Sequence, residues 1–551
     1  MKTKTLTLLA TAVLLTSSCC SCADHASRGT RHEAKALCSN TECTITQTAS
    51  GKVAGYIDDG IYTYKGIPYA KAERFMPPTA ADSWEGVRSS RAYGPTCPQG
   101  KRTGWYSDEQ AFSFNWDDGF PDENCLRVNI WTPGINDAGK RPVMVWLHGG
   151  GYSAGSGQEL PSYDGASLAR KGDVVVVSLN HRLNVLGFLD LSAYGEKYAK
   201  SGNAGLLDLV AALEWINANI EAFGGDPRNV TIFGQSGGGG KVSTLLATPS
   251  AKGLYHKAIV QSGAMLRTMD SKWSRRIGTA VVDELGISPR HIDKLQTIPY
   301  EKLLAAGEKA VAKVRAEAEK EGFASFIFGW APTVDGVVLP RQPFDPQAPE
   351  QSKDVPMMIG TTVHEFTMST YVPQFRNLTQ EGAVEYLRSK YGDKTEEFVS
   401  IFAQTYPDYQ PKDIIDTDVI FRPSTIEQAG LKSRQGGAPV YMYMFTWESP
   451  VLDGILRSTH CMEIPFVFNN ADRHATMTGG GEDAILLADR MSQAWINFAR
   501  CGNPSTEDLP EWPSYNCSEG AAMFFDNECE VRYNHDKALM DFVRQFPTRG
   551  F

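Results

Sequence analysis

The apolar positions change their spacing several times along the chain. Residues 44–64 alternate polar and apolar side chains around Gly51, Gly55 and Gly60, which predicts short strands joined by tight turns. Val128-Asn129-Ile130-Trp131 continues in an extended pattern. Pro142-Val143-Met144-Val145-Trp146-Leu147 and residues 173–179 are almost entirely apolar. A strand without polar alternation is buried on both faces, as in a parallel sheet covered by helices. Over residues 206–223 the spacing becomes helical, with Leu206, Leu207, Val210, Leu213, Ile216 and Ile220 on one stripe. The short strand Val230-Thr231-Ile232-Phe233 then runs into a cluster of glycines, and residues 240–247 are helical again. Strand and helix in this order predict an α/β fold, a mostly parallel central sheet with helices on both faces. Residues 301–321, rich in Ala, Lys and Glu, predict a solvated helix whose charges need no functional explanation.

Composition agrees with one large globular unit. Of the 551 residues 42% are hydrophobic and 21% charged, and there is no internal repeat and no linker rich in Pro, Gly or Ser. Residues 24–551 therefore read as one domain with helical insertions in the later part. A net charge of -10 argues against nucleic acid or an anionic membrane as partner.

The N-terminus points to export. Lys2 and Lys4 precede an apolar run over residues 6–15, then Ser21-Cys22-Ala23, the layout of a signal peptide over residues 1–23. Cleavage after Ala23 is one outcome. The other reads Thr16-Ser17-Ser18-Cys19 as a degenerate lipoprotein box, with an acylated Cys19 as membrane anchor. Eight of the 11 cysteines lie beyond the leader, an even number that fits disulfides in an exported chain. Cys38–Cys43, Cys97–Cys125 and Cys517–Cys529 would each close a short loop, leaving Cys461 with Cys501. No cysteine has the spacing of a structural zinc site.

Two glycine-rich segments carry the chemistry. Gly234-Gln235-Ser236-Gly237-Gly238 follows a strand and precedes a helix, the context in which G-x-S-x-G marks a nucleophilic serine on a sharp turn. Upstream, His148-Gly149-Gly150-Gly151-Tyr152 follows the buried strand that ends at Leu147. Glycines there free backbone N–H groups to receive a developing oxyanion. The expected donors are Gly150, Gly151 and Gly237. A phosphate-binding loop is excluded, since no Gly-Lys-Ser/Thr follows.

With these segments in place, the sequence resembles the type-B carboxylesterase/lipase family of cholinesterases and bacterial esterases. Further blocks carry the resemblance across nearly the whole chain: Gly66-Ile67-Pro68-Tyr69-Ala70, Glu123-Asn124-Cys125-Leu126, Asn180-His181-Arg182-Leu183, Gly202-Asn203-Ala204-Gly205, Phe223-Gly224-Gly225-Asp226-Pro227 and Phe498-Ala499-Arg500-Cys501-Gly502-Asn503-Pro504. The resemblance implies an α/β-hydrolase fold and a Ser–Glu–His triad in that chain order. It assigns the acid to Glu365, five residues after Gly360, and the base to His460 in Thr459-His460-Cys461-Met462-Glu463, rather than to the neighbouring His364. It also implies a disulfide Cys97–Cys125 and a supporting role for Ser262, hydrogen-bonded near the triad. Gln235 and Gly237 depart from the Glu and Ala of many relatives and look most like the bacterial branch.

The expected reaction is hydrolysis of small to medium carboxylic esters through an acyl-enzyme on Ser236. His460 would act as general base and then acid, and Glu365 would orient it. No metal or organic cofactor is expected. Two other readings are a non-catalytic binding module, disfavoured because all three triad residues are present, and a lipase for long-chain glycerides.

Overall fold

A computed structural model describes residues 36–100, 107–323 and 327–546; the leader and Cys19 lie outside them. Among the described residues eleven strands form one sheet: β1 (Tyr56–Asp58), β2 (Ile61–Pro68), β3 (Arg127–Thr132), β4 (Arg141–Leu147), β5 (Val175–Leu179), β6 (Gly225–Gln235), β7 (Lys257–Gln261), β8 (Met357–Thr362), β9 (Val440–Phe445), β10 (Ala521–Phe525) and β11 (Glu530–Tyr533). Their spatial order is β11-β10-β9-β8-β7-β6-β4-β5-β3-β2-β1. Neighbours from β5 through β10 are all parallel. The flanking pairs β5–β3, β3–β2, β2–β1 and β10–β11 are antiparallel.

The apolar strands behave as their composition requires. In β4 the pleat sends Val143, Val145 and Leu147 into one core and Met144 and Trp146 into the other. β5 does the same with Val175 and Val177 on one side and Val176 on the other. Each such side chain contributes roughly 1.5–3 kcal/mol when fully buried, and both layers need helices to cover them. Helix α1 (Ala204–Asn219) covers the first face with Leu206, Leu209, Leu213 and Ile216. Helix α6 (Glu482–Cys501) covers the second with Leu487, Met491, Trp495 and Phe498. Between them in the chain come α2 (Gly237–Leu245), α3 (Ser271–Glu284), α4 (Tyr300–Lys320) and α5 (Phe421–Ser433). This is the α/β-hydrolase arrangement. No described helix is long and apolar enough to cross a membrane.

Two helices differ from expectation. α1 is buried more widely than its stripe, taking in Leu209, Ala212 and Trp215, because it packs on the sheet and also against Asn184–Phe188. α4 is not solvated all round: Leu303, Ala306, Ala310, Val314 and Ala318 recur every three or four residues and are buried, where the helix packs on α3.

The cysteines also differ. All eight beyond the leader are free thiols, so none of the expected bridges, Cys97–Cys125 included, is present among the described residues. Cys97 and Cys125 are buried neighbours joined by a thiol hydrogen bond, and the Cys97 sulfur also receives the Leu183 N–H at 3.2 Å. Cys461 is buried whereas Cys501 is exposed at the end of α6. Cys517 contacts Arg434, while the Cys529 thiol turns to the Asp526 carbonyl.

One buried ion pair ties the strand layer to α1. Arg182, just beyond β5, donates Nε to Asp208 Oδ2 at 2.8 Å and Nη2 to Oδ1 at 2.6 Å, and Nη1 to the Glu73 carbonyl at 3.0 Å. Asp208→Asn leaves the guanidinium buried without its counter-charge. Urea unfolding of the variant is expected to show a stability loss of about 3–5 kcal/mol; a loss below about 1 kcal/mol would mean that the pair is not a structural tie.

Candidate active site

The parallel strands β4, β6, β7 and β8 end on one edge of the sheet, so the segments that follow them meet there. The sharpest connection is β6 to α2. The helix starts at Gly237, three residues earlier than the sequence pattern predicts, leaving Ser236 alone as the turn. Ser236 has φ 58° and ψ −126°, a conformation costly for a residue with a side chain. It is held there by its own N–H to the Gln261 carbonyl (2.9 Å) and by its carbonyl, which accepts the Gly240 N–H (3.0 Å). Gly238 is required for this turn: a Cβ at that position would lie 1.9 Å from the Leu147 carbonyl oxygen. Ser236 is half-buried while Gln235 beneath it is fully buried.

Glu365 and His460 meet across 95 positions of sequence. Glu365 lies just past β8, where its Oε1 accepts the Thr362 N–H at 2.9 Å and its own N–H donates to Thr362 Oγ1 at 3.1 Å. Its second oxygen, Oε2, bonds Nδ1 of His460. The backbone is locked as well, the His460 N–H donating to the Glu365 carbonyl at 2.6 Å and Thr459 Oγ1 to the same carbonyl at 3.0 Å. Gln235, adjacent to Ser236, brings its Nε2 to 3.3 Å from both ring nitrogens of His460. Phe366 and Phe421 stack near the imidazole, with centroids 4.8 and 5.3 Å away. His364 is directed elsewhere: it is buried, its Nδ1 3.9 Å from Glu448, and burial holds its pKa well below the usual value.

The backbone donors converge as well. Gly150 and Gly151 are exposed and have φ +78° and +62°. Gly237 heads α2, so its N–H lies outside the helical hydrogen-bond ladder. A Cβ on Gly237 would lie 2.5 Å from the Gly151 nitrogen, and a Cβ on Gly149 would lie 3.4 Å from Ser236 Cβ. The two peptide segments are thus in backbone contact beside the serine.

Ser262 follows β7 and is buried, its N–H donating to the Gly360 carbonyl at 2.8 Å. The hydrogen bond expected of its hydroxyl is not made: Oγ has no partner among the described residues. Its φ of +45° lets the turn bond through the backbone instead. Two further carboxyl groups lie near Glu365 and carried no clear mark in the sequence. Asp418 caps the approach to α5, accepting N–H groups from Ile420, Phe421 and Arg422, and burial aided by the Glu365 charge pushes it up to about 7. Glu463 accepts Gln261 Nε2 at 3.2 Å and is likewise pushed up to about 7 by burial and then by Glu365. An Asp before a helix is readable as a cap. Its closeness to Glu365 is not, because only the fold brings them together.

Comparison with known proteins places this geometry. The family model described as the carboxylesterase family matches residues 42–543. The chain is 38% identical to a para-nitrobenzyl esterase of Bacillus subtilis (strain 168), over 92% of this chain and 99% of that protein. It is 33% identical to a phenmedipham hydrolase of Pseudarthrobacter oxydans, over 88% and 95%. Among solved structures, an esterase from Clostridium hathewayi described as hydrolysing aliphatic aromatic polyesters superposes with a TM-score of 0.81 at 38% identity, covering 91% of this chain and 98% of that one. A serine on a strained strand–helix turn, a buried Glu–His pair and a match over almost the full length leave one conclusion: the chain belongs to the carboxylesterase family and is a carboxylic ester hydrolase.

Proposed function

We propose that Ser236 is the nucleophile, His460 the general base and Glu365 the carboxylate that orients it, acting on small to medium carboxylic esters. The Glu365–His460 hydrogen bond carries this reading, because it engages Nδ1 with the carboxylate and so makes Nε2, with Gln235 3.3 Å from it, the ring nitrogen that exchanges the proton. In the first half-reaction the Ser236 oxygen attacks the ester carbonyl carbon and His460 Nε2 takes the hydroxyl proton. The carbonyl π electrons move to oxygen, and the oxyanion is received by the N–H groups of Gly150, Gly151 and Gly237. The tetrahedral intermediate collapses, the alcohol leaves with the proton from His460, and an acyl-enzyme remains. Water then attacks the acyl carbon with His460 as base again, releasing the acid and Ser236. The half-buried rings of Phe366 and Phe421 give apolar surface next to the base, which favours an ester with an apolar or aromatic alcohol group. The name of the para-nitrobenzyl esterase supports the same preference.

Export is part of the same proposal. The N-terminal leader read from the sequence would place the enzyme outside the cytoplasm, either released after Ala23 or anchored through an acylated Cys19.

Kinetics and mass spectrometry test these assignments. Ser236→Ala is expected to lower kcat on p-nitrophenyl butyrate by roughly 10⁴-fold or more, and a fluorophosphonate should add its phosphonyl group to Ser236 of the unaltered enzyme with loss of HF. Turnover retained by the variant would remove Ser236 as nucleophile. Glu365→Gln should lower kcat by about 10³–10⁴-fold with little change in KM, since it disturbs the tautomer rather than the pocket. Across p-nitrophenyl esters of rising acyl length, kcat/KM is expected to be greatest for the short and medium chains. A maximum at palmitate would favour the lipase reading. Intact mass of the mature protein distinguishes cleavage after Ala23 from acylation of Cys19.

A further inference from the structure

Lys241 lies in α2, one turn beyond the nucleophile, with 0% of its surface exposed. Burying an ammonium group costs several kcal/mol unless it is paired and hydrogen-bonded. Its contacts are specific. Nζ donates to the His148 carbonyl at 2.7 Å and reaches the Gly149 carbonyl at 3.5 Å. The ring of Tyr152 is 5.9 Å away. Glu159, itself buried, acts on it electrostatically, and its carboxyl accepts the Ser156 N–H at 2.6 Å and the Tyr163 hydroxyl at 3.3 Å. Burial pulls the ammonium down to about 7, with Glu159 opposing that shift, and pushes Glu159 up to about 8.

What Lys241 touches is the inner side of the oxyanion loop. The Gly149 carbonyl and the Gly150 N–H belong to one planar peptide and point in opposite directions. That carbonyl also meets His148 Nδ1 at 2.9 Å. With the ring proton on Nδ1, two donors converge on one oxygen from inside the fold. Such bonding fixes the plane of the peptide and polarises its N–H. Lys241 also rides on the helix that begins with Gly237, so one side chain joins the two sources of oxyanion donors, the loop after β4 and the start of α2.

We propose that Lys241 is a positioning residue for ester hydrolysis: held inside the fold, its amino group anchors the carbonyl sides of the His148–Gly149 and Gly149–Gly150 peptides and so aims the Gly150 N–H at the oxyanion beside Ser236. The proposal rests on the assignment of Ser236 and the oxyanion donors above. It asks nothing of Lys241 toward the substrate itself. Its effect belongs to the transition state, where the loop receives charge, and not to the binding of the uncharged ester.

The test uses Lys241→Met in the full chain, which keeps length and volume but removes the donors. With p-nitrophenyl butyrate, kcat is expected to fall on the order of tenfold to a hundredfold while KM changes by less than about threefold. The inhibition constant of an aliphatic trifluoromethyl ketone, whose hemiketal with Ser236 puts an oxyanion in the same place, should weaken by the same factor as kcat/KM. Loss of cooperative thermal unfolding in this variant moves the measurement to Lys241→Gln, which keeps N–H donors without the charge and should show a smaller loss with the same parallel between kcat/KM and ketone affinity. A folded variant with kcat within about twofold of the parent overturns the proposal, as does a fall in kcat with ketone affinity unchanged. Fluorophosphonate labelling of Ser236 separates the two levels. Failure to label the parent enzyme removes the nucleophile assignment, whereas normal labelling with an indifferent Lys241→Met removes only the role of Lys241.

Discussion

Everything at the catalytic edge depends on how closely the turn after β6 packs against the end of β4. A Cβ on Gly238 would fall 1.9 Å from the Leu147 carbonyl oxygen, and one on Gly234 would fall 2.5 Å from it. Backbone against backbone at that distance leaves room for no side chain. The chain reverses within one residue, Ser236 takes the strained φ and ψ that result, and α2 begins with Gly237 packed against Gly151 of the loop that follows β4. Strain of this kind persists where the surroundings over-determine it. Here they do so through the hydrogen bond to Gln261 on β7 and the first turn of α2.

The second organising feature is charge sealed in the fold. On one side of the serine a carboxylate, Glu365, is satisfied by the Thr362 N–H and by His460, with Asp418 and Glu463 close by and both pushed toward neutrality. A like charge in a low-dielectric site disfavours a second one, which is why the Glu365 charge adds to burial in pushing Asp418 and Glu463 up. On the other side an amino group and a carboxyl, Lys241 and Glu159, support the loop from behind. Gln235, rather than a carboxylate, touches His460 between them, its oxygen taken by the Cys461 thiol at 3.1 Å. The His460 imidazole therefore meets a carboxyl group at Nδ1 and an amide alongside.

Much of this was legible in the sequence. The all-apolar runs in β4 and β5 announced a buried parallel sheet, and their pleat does divide Val143 and Val145 from Met144 and Trp146. The contexts of Ser236 and of Gly149-Gly150-Gly151 were readable because each follows a strand directly. Glu365 and His460 were found through resemblance, since no local pattern marks them. Lys241 and Glu159 were invisible for a physical reason: a lysine in a helix and a glutamate in a loop read as surface until the fold covers them. The spacing of residues 301–321 was outvoted by their charge, and the buried stripe of α4 was missed in consequence. Loop length and resemblance suggested three cysteine pairs and elimination left Cys461 with Cys501; in the fold all eight are free, Cys461 buried and Cys501 exposed.

The distances between contacting groups along the chain have a consequence for how the molecule acquires its activity. His148 and Lys241 are 93 positions apart, Glu365 and His460 are 95, and Gln235 and His460 are 225. Closing loops of that size costs entropy that local structure cannot offset, so such contacts form late, after the sheet has joined its halves. The constellation spans residues 148–460, so a partly folded chain can hold strands and helices without bringing Glu365 to His460. Recovery of hydrolysis during refolding is thus a report on the joining of these distant segments rather than on the return of secondary structure.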